Sequence, residues 1–139
     1  MIERTLFDAD HESFRDSFRK FIEKEISPFH AEWEEQGYVA REVWNKAGEN
    51  GFLCISMPEQ YGGSDADKLF SVIQFEELAR AGTSGIGYSL HSEIVAPYIL
   101  HYGTDEQKAK AGTWPFARRC RSAGCRVPRF SYAGCSLCR

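Results

Sequence analysis

The sequence has no apolar run near the roughly 18 residues that a membrane-spanning helix needs. It opens without the basic-then-apolar order of a secretory signal and without the Arg- and Ser-rich, acid-poor character of a transit peptide. It contains no phosphate-binding loop, GxGxxG stretch or nucleophile motif, and no two histidines stand four residues apart as a helical metal pair. We therefore expect no membrane span, and a cytoplasmic protein or a mitochondrial matrix protein whose leader has been removed.

Acidic residues and lysine are both missing from residues 111–139, which hold six arginines and four of the five cysteines. Residues 1–110 show the opposite balance, because they carry all 20 acidic residues against 11 basic ones, a net charge of -9. The overall net charge of -3 conceals this division. Two different kinds of sequence therefore join near residue 110, and each carries its own predictions.

Residues 1–110 lack the alternating pattern of strands but repeat the spacing of helices. Asp8 or Asp10 can cap a first helix, and an apolar stripe gives that helix a buried face. The stripe is Phe14, Phe18, Phe21 and Ile22. Further helices are predicted over 29–36, 41–50, 68–81 and 87–102. The segment predicts an all-α bundle of five to six helices, and 42% hydrophobic residues are enough for a core.

Two of these helices carry predictions about which residues are buried. In the 68–81 helix, which Asp65 or Asp67 can cap, the apolar side chains should face the core. They are Leu69, Val72, Ile73, Phe75, Leu78 and Ala79, with Glu76 beside them. In the 87–102 helix the predicted stripe is Leu90, Ile94, Val95, Tyr98 and Ile99. Pro97 should kink this helix or sit near its middle turn, and a capping box of Thr104 and Gln107 opens one more helix.

The titratable residues on these helices receive structural interpretations. Glu76 and Glu77 are adjacent, so their side chains diverge by about 100 degrees on a helix. We expect one of them to pack or pair with a base and the other to be solvated. The four histidines should be structural or exposed, with His11 and His30 on helix surfaces. No residue is assigned a catalytic or metal-binding role.

A stiff joint connects the third and fourth helices, where the sequence reads GFLCISMPEQYGG from Gly51 to Gly63. An extended apolar run should lead into it. Pro58 fixes φ and removes a backbone donor, while Gly62 and Gly63 permit positive φ or a close backbone approach. Tyr61 can bury its ring and still hydrogen-bond through its hydroxyl. We interpret the joint as a structural corner, with direct ligand contact as the alternative.

Four stretches in this order resemble the N-terminal helical domain of the acyl-CoA dehydrogenases: RDSFRKFIEKEISP, WNKAGENGFLCISMPEQYGG, FEELARAG and HYGTDEQKAK. The resemblance covers 1–110 and implies the all-α fold of that domain. For the whole enzyme it implies FAD-dependent α,β-desaturation of acyl-CoA thioesters in fatty acid β-oxidation, with an electron-transfer partner. Because the family's flavin and glutamate base belong to later domains, it implies no catalytic or cofactor-binding residue here, and a chain that is inactive alone.

The resemblance implies one set of candidate substrate-binding residues. In the family, the helix after the EELARA segment borders the acyl tail. When the chain is aligned by Gly103, which ends that helix, Ile86, Leu90 and Ile94 fall one turn apart on one face. They would form an apolar wall that suits a hydrocarbon chain. Ordinary core packing is the alternative for each of them.

After Lys110 the sequence departs from the family's pattern. In place of the expected Y-L-P-like and M-T-E-P-like segments it reads AGTWPFARRCRSAGCRVPRFSYAGCSLCR, with no helical or strand period. Its commonest residues have GC-rich codons, which is typical of a GC-rich gene read out of frame. We interpret 111–139 as an aberrant, disordered tail joined to the helical domain by a frameshift.

Other interpretations of the chain stay open. Cys120, Cys125, Cys135 and Cys138 could bind zinc, although the first pair is spaced too widely for a standard knuckle. The arginines and aromatic residues of the tail could contact nucleic acid or an acidic partner, although such tails are more often solvated and we expect no nucleic acid. The helical domain could also be a non-catalytic interaction module that associates with intact relatives.

Overall fold

The computed structural model describes residues 5–112, with side chains to residue 108. These residues form six α-helices and no strand, which confirms the all-α prediction. The helices are α1 (Ala9–Phe21), α2 (His30–Gln36), α3 (Arg41–Glu49), α4 (Lys68–Arg80), α5 (Ala96–Tyr102) and α6 (Asp105–Gly112). There are also two π-helical segments: Ile22–Ile26 directly follows α1, and Leu90–Val95 directly precedes α5. Predictions for residues 113–139, including the zinc, nucleic-acid and frameshift interpretations, lie outside the described residues.

The two ends of the described chain are capped as predicted. The Asp8 carboxylate accepts hydrogen bonds from the backbone N–H groups of Asp10 and His11, both at 3.0 Å. At α6, the Thr104 N–H donates to Gln107 Oε1 at 2.8 Å, and the Gln107 N–H donates back to the Thr104 hydroxyl at 3.2 Å. Each cap satisfies donors that a helix start leaves without an intrahelical partner.

The core forms around the aromatic stripe of α1. Phe52, which follows α3, packs against the rings of Phe14, Phe18 and Phe21, with ring centroids 5.0–5.6 Å apart. Tilted and edge-on rings at this separation are favourable beyond their area burial. The buried cluster consists of Phe18, Phe21, Ile22, Ile26, Trp33, Val43, Ala47, Phe52, Leu53, Ile86 and Tyr88. The predicted apolar stripe of α1 is confirmed, because Phe18, Phe21 and Ile22 are buried and Phe14 packs partly buried against the cluster.

The face that α4 buries differs from the prediction. Val72 and Phe75 are 37% and 38% exposed, whereas polar side chains take the inward positions beside Ile73. These are Ser71, Gln74 and Glu77, all 2–3% exposed. Each inward polar group has a partner, and Gln74 Nε2, for example, donates to the carbonyl of Phe52 at 2.6 Å. Buried polar groups are tolerated when they are hydrogen-bonded, and helical periodicity does not show that such partners exist.

The joint folds into compact turns instead of the predicted extended run. Cys54 has a φ of 55°, and a short 3₁₀ turn covers Glu59–Tyr61. A Cβ at Gly63 would stand 2.5 Å from the carbonyl carbon of Met57, closer still to its oxygen, and 2.7 Å from the carbonyl oxygen of Cys54. Glycine is therefore required at this position by close backbone approach, as expected for a structural corner.

Candidate functional site

The candidate site lies on one continuous helix that we call the 88–102 helix. It contains the π segment Leu90–Val95 and runs on into α5. Pro97 falls in the first turn of α5, near the middle of the whole helix. Proline has no N–H and its ring crowds the preceding turn, and a widened π turn is one known way for a helix to absorb such a residue.

The inward side of the 88–102 helix is anchored by polar contacts. The Tyr88 hydroxyl donates to the carbonyl of Val43 at 3.1 Å, and Tyr88 is 1% exposed. Ser92, one turn along, is 2% exposed, and its hydroxyl accepts the backbone N–H of Cys54 at 3.0 Å. Ala96, a further turn along, is also buried. These contacts tie the helix to α3 and to the joint.

Glu93 adds an ionic anchor on the same helix. One of its carboxylate oxygens accepts from the Ser71 hydroxyl at 2.7 Å and from the Ser56 hydroxyl at 3.1 Å. The other accepts from Lys68 Nζ at 2.6 Å, and the Glu93 side chain is only 13% exposed. Hydrogen bonds to an ionised carboxylate are stronger than those between neutral groups. Glu93 therefore connects the helix to both α4 and the joint.

His91 and Cys54 lie beside these anchors but lack the properties of a catalytic pair. Burial lowers the pKa of His91 to about 4, so its ring is neutral at pH 7. Burial raises the pKa of the Cys54 thiol, which keeps it protonated and unreactive. The His91 ring stands edge-on to Trp44 at 5.6 Å. The cluster is structural, as expected for this histidine.

The outward side of the 88–102 helix is apolar. Leu90, Ile94, Tyr98 and Tyr102 recur every four residues and are 54%, 55%, 66% and 79% exposed. We call these four side chains the outward stripe. The prediction that the apolar stripe of this helix faces the core is therefore wrong. A contiguous exposed apolar surface of this kind marks a ligand or interaction surface.

Comparisons with known proteins show the family to which this chain belongs. The family model described as "Acyl-CoA dehydrogenase, N-terminal domain" matches residues 8–112. The chain belongs to the acyl-CoA dehydrogenase family. It is 49% identical over 107 residues to the mitochondrial long-chain specific acyl-CoA dehydrogenase of Mus musculus, and the match covers 77% of the chain and 25% of that protein.

Solved structures agree with this acyl-CoA dehydrogenase assignment. The acyl-CoA dehydrogenase from Geobacillus kaustophilus is similar at 48% identity and a TM-score of 0.73, over 78% of this chain and 28% of that one. A structure described as an electron transferring flavoprotein of Acidaminococcus fermentans is similar at 33% identity and a TM-score of 0.69, over 83% of this chain and 30% of that one. The chain thus spans about a quarter of the length of its curated relatives.

The three predicted substrate-binding residues of this acyl-CoA dehydrogenase domain do not share one face. Leu90 and Ile94 lie together on the outward stripe. Ile86 precedes the 88–102 helix, is 2% exposed and belongs to the core cluster, so it takes the packing alternative. The anchors Ser92 and Glu93 were not predicted. Their signal in the sequence is the interruption of an apolar stretch by three adjacent polar residues, His91, Ser92 and Glu93.

The paired glutamates form part of the domain's scaffold. Glu77 is 3% exposed and accepts from Arg19 Nε at 2.9 Å and from Arg15 Nη1 at 3.1 Å. The hydrogen bond from Arg19 is the main cause that holds the pKa of Glu77 below its usual value. Glu76 pairs with the same Arg15 at 2.9 Å, so the expectation that one of the two glutamates is solvated is wrong. Both carboxylates join α4 to α1.

His11 also differs from its prediction, because it is 4% exposed instead of lying on the helix surface. Its two ring nitrogens lie 2.7 Å from Asp8 and 3.2 Å from Asp67, the N-cap residues of α1 and α4. Burial lowers the pKa of His11, but the hydrogen bonds to Asp67 and Asp8 outweigh it, and the pKa is raised. The residue therefore has a structural role that links two helix starts.

The family implies FAD, and neither the outward stripe nor the cations that anchor α1 and the 88–102 helix fit a flavin diphosphate. A flavin diphosphate needs backbone N–H groups or cationic side chains aimed at it. Arg15, Arg19 and Lys68 are each engaged with carboxylates of the domain itself, and the outward stripe is apolar. Over residues 5–108, no group of three or more His, Cys, Asp or Glu side chains could hold a metal ion. In the same range, no helix has the length and apolar character to cross a membrane.

Proposed function

We propose that this chain forms the N-terminal helical domain of an FAD-dependent acyl-CoA dehydrogenase that desaturates long-chain acyl-CoA thioesters at the α,β bond in fatty acid β-oxidation. The observation that carries the proposal is the outward stripe, which the polar anchors of the 88–102 helix hold away from the core. The domain that carries this stripe is similar in sequence to long-chain specific relatives. An apolar surface of this kind suits a hydrocarbon tail, and each buried methylene contributes about 0.8 kcal/mol.

In this proposal the domain binds and orients the acyl tail of the substrate, and it carries no reacting group. Leu90 and Ile94 contact the acyl tail and exclude water from it. Tyr98, Tyr102 and the exposed Val72 and Phe75 of α4 are available to pack against the parts of the enzyme that this chain does not span. The flavin, when bound by those other parts, accepts the β-hydrogen as hydride. The base that removes the α-proton is assigned to no residue of this chain.

The same proposal includes an electron-transfer partner and a cellular location for the complete enzyme. An electron-transfer partner reoxidises the flavin of the complete enzyme. The working compartment is the mitochondrial matrix, which agrees with the description of the mouse relative as mitochondrial, or the cytoplasm. The chain alone binds no flavin and has no activity, because the family's flavin site and glutamate base belong to later domains. A non-catalytic interaction module that binds intact relatives through the outward stripe is the second candidate.

Two preparations test the proposal. The first is the full 139-residue chain incubated with FAD, and we expect no flavin absorbance after gel filtration and no dye reduction with palmitoyl-CoA. The second is a chimera in which residues 8–108 replace the matching segment of the Geobacillus enzyme. We expect this chimera to bind flavin and to reduce the dye with palmitoyl-CoA.

The outcomes separate the two candidates. Activity of the chain alone would contradict its predicted inactivity. A flavin-loaded, folded chimera without activity toward any acyl-CoA would refute the dehydrogenase role of this domain. In that case, co-elution of the chain with the intact Geobacillus enzyme, abolished by Ile94→Asp, would favour the interaction module.

A further inference from the structure

The 88–102 helix turns one face with the polar anchor Ser92 inward and leaves large apolar residues on the opposite face. Tyr88, Ser92 and Ala96 are buried and four residues apart, while Leu90 and Ile94 lie two positions away from them. Two positions correspond to about 200 degrees of helix rotation, so the two sets lie on opposite faces. A half-turn rotation of this helix would bury the outward stripe and expose its anchors.

Burial of Leu90 and Ile94, which are both more than half exposed, would favour that rotated arrangement, because removal of apolar surface from water is the main driving force of folding. Burial of the Tyr88 ring, which is 1% exposed in the core cluster, opposes it. The observed orientation is therefore held by the Tyr88 ring together with the polar contacts of the helix.

Glu93 makes the widest set of these contacts. Its carboxylate accepts from Ser56 in the joint and from both Ser71 and Lys68 in α4. Tyr88 and Ser92 each reach one backbone group, whereas Glu93 connects the helix to two separate elements. Ser71 is 2% exposed, so the loss of its acceptor would leave a buried hydroxyl without its observed partner.

We propose that Glu93 is a positioning residue that sets the rotation of the 88–102 helix, presents Leu90 and Ile94 to the acyl tail, and thereby determines which chain lengths the enzyme accepts. This inference rests on the proposed function for its substrate, while its geometric part stands on the contacts above. Glu93 acts through the helix and touches no substrate. Glu93→Gln retains the shape of the side chain but turns one acceptor oxygen into a donor facing Ser71 or Lys68.

The geometric part is tested by hydrogen exchange on the full chain. We expect Glu93→Gln to accelerate exchange in peptides covering 88–102 by on the order of tenfold, because local opening becomes easier. The matched control is Glu77→Gln, which removes another buried, paired carboxylate but one that contacts α1. It should accelerate exchange most in α1 and α4, and less than Glu93→Gln does over 88–102. Unchanged exchange over 88–102 in Glu93→Gln, or equal acceleration there in both variants, would overturn the proposal.

The specificity part is tested in the chimera by the ratio of kcat/KM for palmitoyl-CoA to that for octanoyl-CoA. We expect Glu93→Gln to lower this ratio by on the order of tenfold through KM, because it disturbs tail contacts and leaves the reacting groups in place. Glu77→Gln should leave the ratio unchanged. An equal loss for both substrates in Glu93→Gln would reject a role in specificity. If the parent chimera turns over neither substrate, the proposed function fails and the exchange experiment alone decides the positioning role.

Discussion

Replacement of Gly63 by alanine is the sharpest perturbation of the joint. The new Cβ would stand 2.5 Å from the carbonyl carbon of Met57 and 2.7 Å from the carbonyl oxygen of Cys54, where ordinary contact begins at 3.4 Å. Both neighbours are backbone atoms, so no flexible side chain can give way. A backbone shift of about 1 Å or more is required, and angle strain and overpacking of this size cost about 3 kcal/mol or more.

Gly62 is the matched control for this prediction. Its φ is 86°, and a Cβ there would meet nothing within 4 Å. Gly62→Ala therefore introduces only left-handed backbone strain of about 1–2 kcal/mol. The lower entropy of the unfolded alanine chain offsets about 0.4–1 kcal/mol of this. We expect a net loss of about 1 kcal/mol.

Urea unfolding of the full chain, followed by far-ultraviolet circular dichroism, measures both variants. We expect the free energy of unfolding of Gly63→Ala to lie about 1–2 kcal/mol or more below that of Gly62→Ala, with similar denaturant slopes, since the entropy offset is common to both variants. If the two variants fall within about 0.5 kcal/mol of each other, or if Gly62→Ala is the less stable, the close backbone approach at Gly63 does not govern the joint.

Three further predictions concern the buried titratable groups. Glu77→Gln should lower the free energy of unfolding by about 2–3 kcal/mol, because the mostly buried Arg15 loses a charged partner. Between pH 6.5 and pH 4 the unfolded chain takes up a proton at His91 that the folded chain does not. The free energy of unfolding therefore decreases by on the order of 2 kcal/mol as the pH is lowered through this range, and His91→Gln should reduce this decrease. The raised pKa of His11 stabilises the fold below pH 6.5, and this contribution is lost as pH rises through the folded pKa, so His11→Gln should reduce the alkaline loss.

Each of these predictions has a control in the same unfolding assay. Glu76→Gln should be milder than Glu77→Gln, because Glu76 is 31% exposed. His101→Gln replaces an exposed histidine and serves as the comparison variant for both histidine predictions. A loss in Glu76→Gln as large as that in Glu77→Gln would contradict the importance of burial. A pH profile of stability unaltered by His91→Gln or His11→Gln would contradict the corresponding electrostatic interpretation.

Local signals predicted the parts of the fold that depend on neighbouring residues. The N-caps Asp8 and Asp67 and the capping box of Thr104 all appear where the sequence places them. The stripe of α1 is buried as predicted, because its apolar side chains pack against one another and Phe52. In α4 and the 88–102 helix, the same reasoning failed to identify the inward face.

The failure has one physical cause. Helical spacing indicates which side chains share a face of a helix, but it does not indicate which of these faces is buried in the core. Ser71 and Glu93 can lie inside because each is the other's partner, although 22 residues separate them in the chain. A hydrogen-bonded polar pair carries little net penalty on burial. Several apolar residues of both helices, among them Val72, Phe75, Leu90 and Ile94, are thereby left at the surface.

The sequence by itself determined the helical class, the helix boundaries, the glycine joint and the family, since these follow from local propensity, capping and motif order. The tertiary structure alone decided that Leu90 and Ile94 point outward while Ile86 enters the core. It also decided that Glu93 is an anchor between elements. These facts depend on contacts between residues far apart in the chain, and such contacts set the rotation of a helix about its own axis.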